Sequence, residues 1–427
     1  MKITGIIAEY NPFHKGHQYQ ISQVRKRFGC DYIIAVISGD FVQRGAPALL
    51  DKYTRAHMAL LGGADLVLEL PAVYATASAE GFAAGGIRTL AATGITDSVS
   101  FGMEQDDTDT LMQLADLLTK EPAWYCRRLR EGLQKGLSYP AARSRALPEY
   151  ADFLASPNNI LALEYARAAQ AYAPELTLLP IRRLGGSYHQ KELSGPLASA
   201  GAIRAFLREH ADMLLASRDF GTESISPKAS ALADALPESS WRLLAEYSQT
   251  AALLYEEALS LPLHLKLTGQ TMDSLLCCSD MSPALASRIL AMRADFASFP
   301  GFCEALKTKN ITYSRISRAL LHLLLGITRE LTQQAEEIPY LRLLGFRRSA
   351  AGLLGRIRQE GTAPLLTSLP DACPDTGAAP SVPLTQNARA ILESDLYAHD
   401  LYRALITART SCPRPREFRQ KMLVVEA

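Results

Sequence analysis

The first apolar run, Ile3 to Ala8 with Gly5 inside it, is too short for a helix and ends at the turn pair Asn11-Pro12. That pattern predicts a buried strand followed by a tight loop. After Phe13-His14-Lys15-Gly16-His17 the period changes, and Ile21, Val24 and Phe28 recur at helical spacing. The alternation then continues. Further apolar runs predict strands over Tyr32–Ile37, Ala64–Leu70 (closed by Pro71), Asp97–Phe101 and Leu176–Ile181. Helical patterns over Lys52–Leu61, Ala77–Thr93, Asp107–Leu118, Trp124–Lys135 and Ile160–Tyr172 lie between them. In the second of these, Ala83, Ala84, Gly85 and Gly86 permit close packing on a sheet. Strands alternating with helices up to residue 204 predict an α/β fold with a doubly wound, Rossmann-like parallel sheet.

Beyond residue 205 the texture is different. Helical patterns follow one another over Ala205–Ser217, Ser226–Ala235, Ser239–Leu259, Met281–Ala297 and Ser314–Leu325, with no clear strand run. Two parts are expected: 1–204, α/β, and 205–427, mainly α-helical. A proline-rich connector over 370–385 separates the body of the second part from a final helix, Asn387–Arg409, and a basic tail.

A chain of 427 residues has room for two or three domains. Its formal net charge of +1 does not announce a nucleic-acid binder, so the distribution of charge matters more. Arg403, Arg409, Arg414, Arg416, Arg419 and Lys421 crowd the end of the chain, and Arg342, Arg347 and Arg348 form another cluster. A third tract, Lys307 to Arg318, mixes cations, hydroxyls and Tyr313 at a helix start. Such groups suit an RNA backbone, and equally a solvated surface. No apolar stretch is long enough to span a bilayer, and no signal segment precedes the first strand, so no membrane is expected. Seven cysteines, with only Cys277-Cys278 close together, give no disulfide framework and fit a reducing cytoplasm.

The candidate chemistry sits where predicted strands end. His14, Lys15, Gly16 and His17 open a helix, whose free N–H groups and partial positive charge favour a phosphate. The two imidazoles, three residues apart, can aim ring N–H donors at one point. Surface residues or half a metal site would show the same spacing, although no further Cys, Asp or His ligand stands close by. The loop Ser38 to Gly45 carries Asp40, able to orient an amine or a metal, and Arg44, able to bind a carboxylate or phosphate. A local Asp–Arg pair is the plain alternative. Gly102 is placed at a strand end, as a nucleotide contact or an ordinary turn. In Ser156-Pro157-Asn158-Asn159 either asparagine can cap the next helix. Arg182-Arg183-Leu184-Gly185-Gly186 again suits a nucleotide.

The string AEYNPFHKGH, followed by SGDFVQRGAPALLDKYTRAHMAL, resembles the bacterial tRNA(Met) cytidine acetate ligase family of the H-x-G-H nucleotidyltransferase superfamily. The resemblance runs over essentially the whole chain and is densest in residues 5–71 and 157–204. It implies an ATP-binding nucleotidyltransferase-type domain followed by a helical tRNA-binding domain. The ATP contacts it implies come from Ile7, Ala8, Glu9, Tyr10, Asn11, Pro12, Phe13, His14, Lys15, Gly16, His17, Gln18, Tyr19 and Gln20. Gly102, Asn158, Arg183, Leu184 and Ser199 complete that set. Leu197 to Arg204 is similar to a second signature of the superfamily; Ser199 and Arg204 fit it, whereas Ala200, Gly201 and Ala202 lack its hydroxyls.

The implied reaction uses ATP, with Mg²⁺, to turn acetate into acetyl-adenylate. The acetyl group then passes to N4 of the wobble cytidine of elongator tRNA(Met), without acetyl-CoA. His14, His17 and Arg204 would stabilise phosphate charge, and Asp40 is the candidate for orienting the amine. Two other classes stay open at this point: a small-molecule adenylyltransferase, and a non-catalytic RNA-binding protein.

Overall fold

The computed structural model describes residues 1–105, 107–184, 193, 197–210, 227–373 and 379–426. Gly185 and Gly186, residues 211–217 of the expected helix, Ser226, and Pro374 and Gly377 of the connector lie outside them.

The first part of the chain runs β1 (Ile3–Ala8), α1 (Lys15–Phe28), β2 (Tyr32–Ser38), a small hairpin β3 (Phe41–Val42) and β4 (Ala46–Pro47), α2 (Lys52–Leu61) and β5 (Leu66–Leu70). A short α3 (Ala72–Ala75), then α4 (Ala79–Ala92) and β6 (Ser98–Met103) follow. Five helices come next: α5 (Thr108–Lys120), α6 (Ala123–Gln134), α7 (Tyr139–Ala146), α8 (Ala151–Ala155) and α9 (Pro157–Tyr172). Strand β7 (Thr177–Arg182) and α10 (Ala200–His210) complete this part.

Strand β1 is central. It pairs in parallel with β2, from Ile3 opposite Tyr32 to Ala8 opposite Ile37, and with β6 on its other edge. The chain first winds outward through β2 and β5, and later crosses to β6 and β7. The carboxyl end of β1 is therefore a switch point, where an open parallel sheet leaves a crevice for ligands. Close packing of α4 on the sheet and on α3 depends on its glycines. A Cβ on Gly86 would lie 2.7 Å from Ile7 Cδ1, and one on Gly85 would lie 2.4 Å from Tyr74 Cβ.

The second part is mainly helical, as expected, but it is not free of strands. Strand β8 (Leu341–Arg347) runs antiparallel to β5, and β9 (Leu365–Leu366) and β10 (Leu423–Val425) both pair with β8. Among the described residues the sheet is thus eight-stranded and mixed. The sequence LRLLGFR hides this strand because both faces are covered, so no period-2 alternation marks it. Arg342, which breaks the apolar run, is itself buried.

The expected helix Ser239–Leu259 is interrupted. It is Glu238–Thr250 followed by an extended stretch and a 3₁₀ turn at Glu256–Leu259. Ser156, rather than Asn158 or Asn159, caps α9, by accepting the Asn159 N–H. Gly102 lies inside β6, one residue before its end. The long helix near the end spans Gln386–Thr410. None of the helices is long and apolar enough to cross a membrane, among the described residues.

Candidate active site

One buried arginine sets the mouth of the crevice. Arg55, on the first turns of α2, is fully buried and donates to the carbonyls of Glu9 (2.6 Å), Ser38 (3.0 Å), Leu50 (2.9 Å) and Gly39. It joins the backbone just beyond β1 to that just beyond β2. The sequence shows only an arginine near a helix start, and nothing in the pattern distinguishes it from a surface one.

Past Ala8 the chain turns sharply, with Tyr10 in the left-handed region at φ +47°; the Asn11–Pro12 peptide is cis. Tyr10 and Phe13 are buried and meet edge to face, 4.9 Å between centroids. His14 caps α1. Its Nδ1 accepts the Gly16 N–H (3.0 Å), and the His17 Nδ1 accepts the His14 N–H (3.3 Å). This reciprocal pair is a capping box built from imidazoles. Since each Nδ1 is an acceptor, the ring proton of each neutral imidazole belongs on Nε2, leaving a donor for a ligand. The rings stack 3.8 Å apart at 28°.

Burial first, then the nearby Arg183 and Arg204, pushes His14 down to about 3. Burial, His14 and Arg183 likewise hold His17 well below the usual imidazole range. Both rings are therefore neutral donors in the free protein. Gly16 has a role beyond backbone approach: a Cβ there would meet Cε1 of His14 at 2.7 Å. The absent side chain lets the His14 ring fold back over the helix start.

A cleft of about 180 Å³ opens beside this loop. Of the residues singled out from the sequence, it is lined by Ile7, Ala8, Glu9, Tyr10, Asn11, His17, Gln20, Gly102, Asn158 and Arg183. Phe101, Leu161 and Tyr165 line it too and were missed, being ordinary core positions in sequence, and so does Ala200, noted there only for lacking a hydroxyl. His14, stacked on His17, is outside its wall, as are Pro12, Phe13, Lys15, Gly16, Gln18, Tyr19, Leu184 and Ser199. Arg183 lies across Gly102, where a Cβ would come within 3.1 Å of its Cγ. Asn158 donates to Glu104 Oε1 (2.7 Å), and Asn159 accepts the Glu104 N–H (3.0 Å), tying the start of α9 to the end of β6.

Helix α10 starts between this cleft and a second one. Ser199 accepts the Ala202 N–H at 3.1 Å, so its hydroxyl caps the helix. Arg204 reaches back to donate to the Asn11 carbonyl (2.7 Å). The second cleft, about 490 Å³, is lined by Glu9, Asn11, Arg44, Arg204, Arg208, Tyr255 and neighbouring residues. Arg44 thus faces a cavity. Glu9 and Asn11 belong to the walls of both clefts.

Asp40 is elsewhere. It is buried, and lines neither cleft. One carboxylate oxygen accepts the Lys52 N–H (2.9 Å), and the other meets His399 Nδ1 (2.6 Å). Burial pushes its pKa up, but His399, Lys52 and Arg55 outweigh burial and hold it at about 2. Lys52 is also buried, between Glu69 (2.8 Å) and Glu417 (2.5 Å).

The basic clusters divide. Arg342 is buried against Tyr53 and Glu417, and Arg347 donates to the Leu60 carbonyl, which leaves Arg348 exposed. In the 307–318 tract Ser317 and Arg318 are buried, Arg318 pairing with Asp280 at 2.8 Å, while Lys307, Lys309 and Arg315 face solvent. Arg403, Arg414, Arg416 and Arg419 line a large surface groove, about 1390 Å³, between the Gln386–Thr410 helix and the tail. No group of three or more His, Cys, Asp or Glu side chains gathers as a metal site among the described residues.

Comparison with known proteins places this geometry. The profile of the HIGH Nucleotidyl Transferase family matches residues 1–416. The tRNA(Met) cytidine acetate ligase of Clostridium kluyveri is 35% identical over 419 residues, covering 95% of each chain. The protein of the same name from Acetivibrio thermocellus is 34% identical over 382 residues, 87% of this chain and 89% of that one. Among solved structures, Thermotoga maritima TmcAL without ligand superposes over 100% of both chains with a TM-score of 0.88 and 30% identity. The same protein bound with alpha-thio ATP gives a TM-score of 0.86. The chain belongs to the HIGH nucleotidyltransferase family, and within it to the tRNA(Met) cytidine acetate ligases.

Proposed function

We propose that this protein is the ATP-dependent ligase that acetylates N4 of the wobble cytidine of elongator tRNA(Met), working in the cytoplasm with acetate and without acetyl-CoA. The observation that carries the reading is the imidazole pair at the start of α1, beside a cleft whose other walls are Gly102, Asn158 and Arg183. The cleft takes the nucleoside of ATP. His14 and His17 turn their Nε2–H donors to the phosphates, with Arg204 and the start of α10 opposite. Charge that builds on the α-phosphate as acetate attacks is met by groups already in place, which is where such sites gain most of their rate. Acetyl-adenylate and pyrophosphate result.

Mg²⁺ fits as an ion held mainly by phosphate oxygens and water, its usual habit with nucleotides. Among the described residues no protein cage for it lines the cleft, so phosphate oxygens and water would carry its ligation. It would supply charge neutralisation on the pyrophosphate.

In the second step the cytidine amine displaces AMP from the acetyl group. Residues 205–427 are the natural carrier of the tRNA, with the groove of Arg403, Arg414, Arg416 and Arg419 as a backbone-binding surface.

The test is incubation with ATP, labelled acetate and tRNA(Met). Label in the tRNA, with AMP and pyrophosphate formed in equal amounts, supports the ligase. Pyrophosphate release that ignores acetate, or label confined to small molecules, refutes it.

A further inference from the structure

The nucleotide accounts for the smaller cleft and, at Arg204, for one edge of the larger one, whose remaining walls beyond Glu9 have no role in that reading. Its floor is apolar, from Val42, Ala46, Pro47 and Leu254. Tyr255 supplies a flat side, braced by Arg208, whose guanidinium lies 4.6 Å from the ring centroid. Arg208 is itself held by Glu256 (2.6 Å) and Glu257 (3.1 Å). The Tyr255 hydroxyl is buried with no hydrogen-bond partner. An aromatic face and nearby cations are what an unstacked base and its phosphate require.

We propose that this second cleft receives the acceptor pyrimidine, extruded from its loop, and that Glu9 takes the proton from its exocyclic amine. The inference rests on the ligase reading above. The amine lone pair forms the bond to the acetyl carbonyl carbon. The bond from that carbon to the adenylate oxygen breaks, and its electron pair leaves with AMP. One N–H proton passes to the Glu9 carboxylate and then to solvent.

Position selects Glu9 over the other acids. Among the described residues it is the carboxylate that lines both clefts. Arg55 holds its backbone carbonyl, and Oε1 accepts the Gln43 N–H at 3.1 Å, so the side chain is fixed in place. Glu256 and Glu209 line the acceptor cleft alone. Asp40 has both oxygens engaged and faces neither cavity.

The experiment compares acetate-dependent ATP–pyrophosphate exchange with single-turnover acetyl transfer to tRNA(Met), in the wild type, Glu9→Gln and Glu9→Asp. General-base removal commonly costs about 10²-fold or more. Expected is a ratio of transfer to exchange that falls by about that factor in Glu9→Gln and recovers in part in Glu9→Asp. Tyr255→Ala should raise the KM for tRNA about tenfold. Equal losses in exchange and transfer would place Glu9 in nucleotide binding alone and overturn the proposal, as would undiminished transfer. A wild type that performs exchange but never labels tRNA would instead overturn the ligase reading itself.

Discussion

Asp40 and His399, 359 residues apart in sequence, form a buried pair 2.6 Å long that bolts the loop after β2 to the helix near the chain terminus. The contact is structural in its consequences. Burial opposes both charges, yet each ring and carboxylate favours the other's charged form, so Asp40 sits low and His399 is raised. Removing one partner leaves the other buried and uncompensated, a loss of about 3 kcal/mol. The pH dependence has two edges. A lowered carboxyl contributes stability above its unfolded value near 3.8, and that is lost as pH falls towards 2. A raised imidazole contributes below its unfolded value near 6.5, and that is lost as pH rises through its folded value. The stability difference between wild type and Asp40→Ala should therefore peak between about pH 4 and 6.5. Urea unfolding across pH 3 to 9 measures it; a flat difference would refute the pair.

The imidazole capping box gives a spectroscopic prediction. In the free protein neither His14 nor His17 should titrate between about pH 5 and 8, and both should carry the proton on Nε2. Nitrogen NMR of the labelled histidines reads this directly. A ring that titrates near its ordinary value would contradict the burial. The folded protein should also weaken as pH drops below 6.5, because the unfolded chain binds protons that these rings refuse.

Gly16→Ala should separate helix propensity from site geometry. Alanine within a helix is ordinarily favourable by up to about 1 kcal/mol over glycine. Here the new methyl group would displace the His14 ring. We expect ATP affinity, measured by calorimetry, to fall about tenfold with little gain in melting temperature.

Much of the wall of the smaller cleft was legible because its signals are local. A strand, a loop with two histidines and a helix start occupy one short stretch, and Gly102, Asn158 and Arg183 each stand near an element boundary. The rest is carried by distance. Tyr255 reaches the acceptor cleft only because a predicted continuous helix breaks after Thr250. Asp40 reads as a group that orients the amine until its partner, far along the chain, appears. Arg342 and Arg318 read as surface cations, yet find buried partners in segments that no periodicity links to them.

A fourth expectation concerns the hairpin β3–β4, which carries Arg44. Gly45 has a φ of +78°, and a Cβ there would lie 2.4 Å from the Arg318 backbone nitrogen. The Ser317 hydroxyl donates to the Gly45 carbonyl at 2.9 Å. Gly45→Ala should push the hairpin off the Tyr313–Leu325 helix and open the acceptor cleft. The KM for tRNA should rise more than the KM for ATP, as steady-state kinetics would show. A rise confined to ATP would argue that the hairpin serves the nucleotide.

The late strands of the sheet also set an order of events during synthesis. Strand β5 leaves the ribosome with one edge bare, and its antiparallel partner β8 follows only some 270 residues later. Until then a nascent chain holds an open, apolar edge ready to pair with any other strand. At about 5–20 residues per second that interval lasts on the order of tens of seconds. A chaperone that shields the β5 edge would act in that window, and the gene's last third decides whether its first third stays soluble.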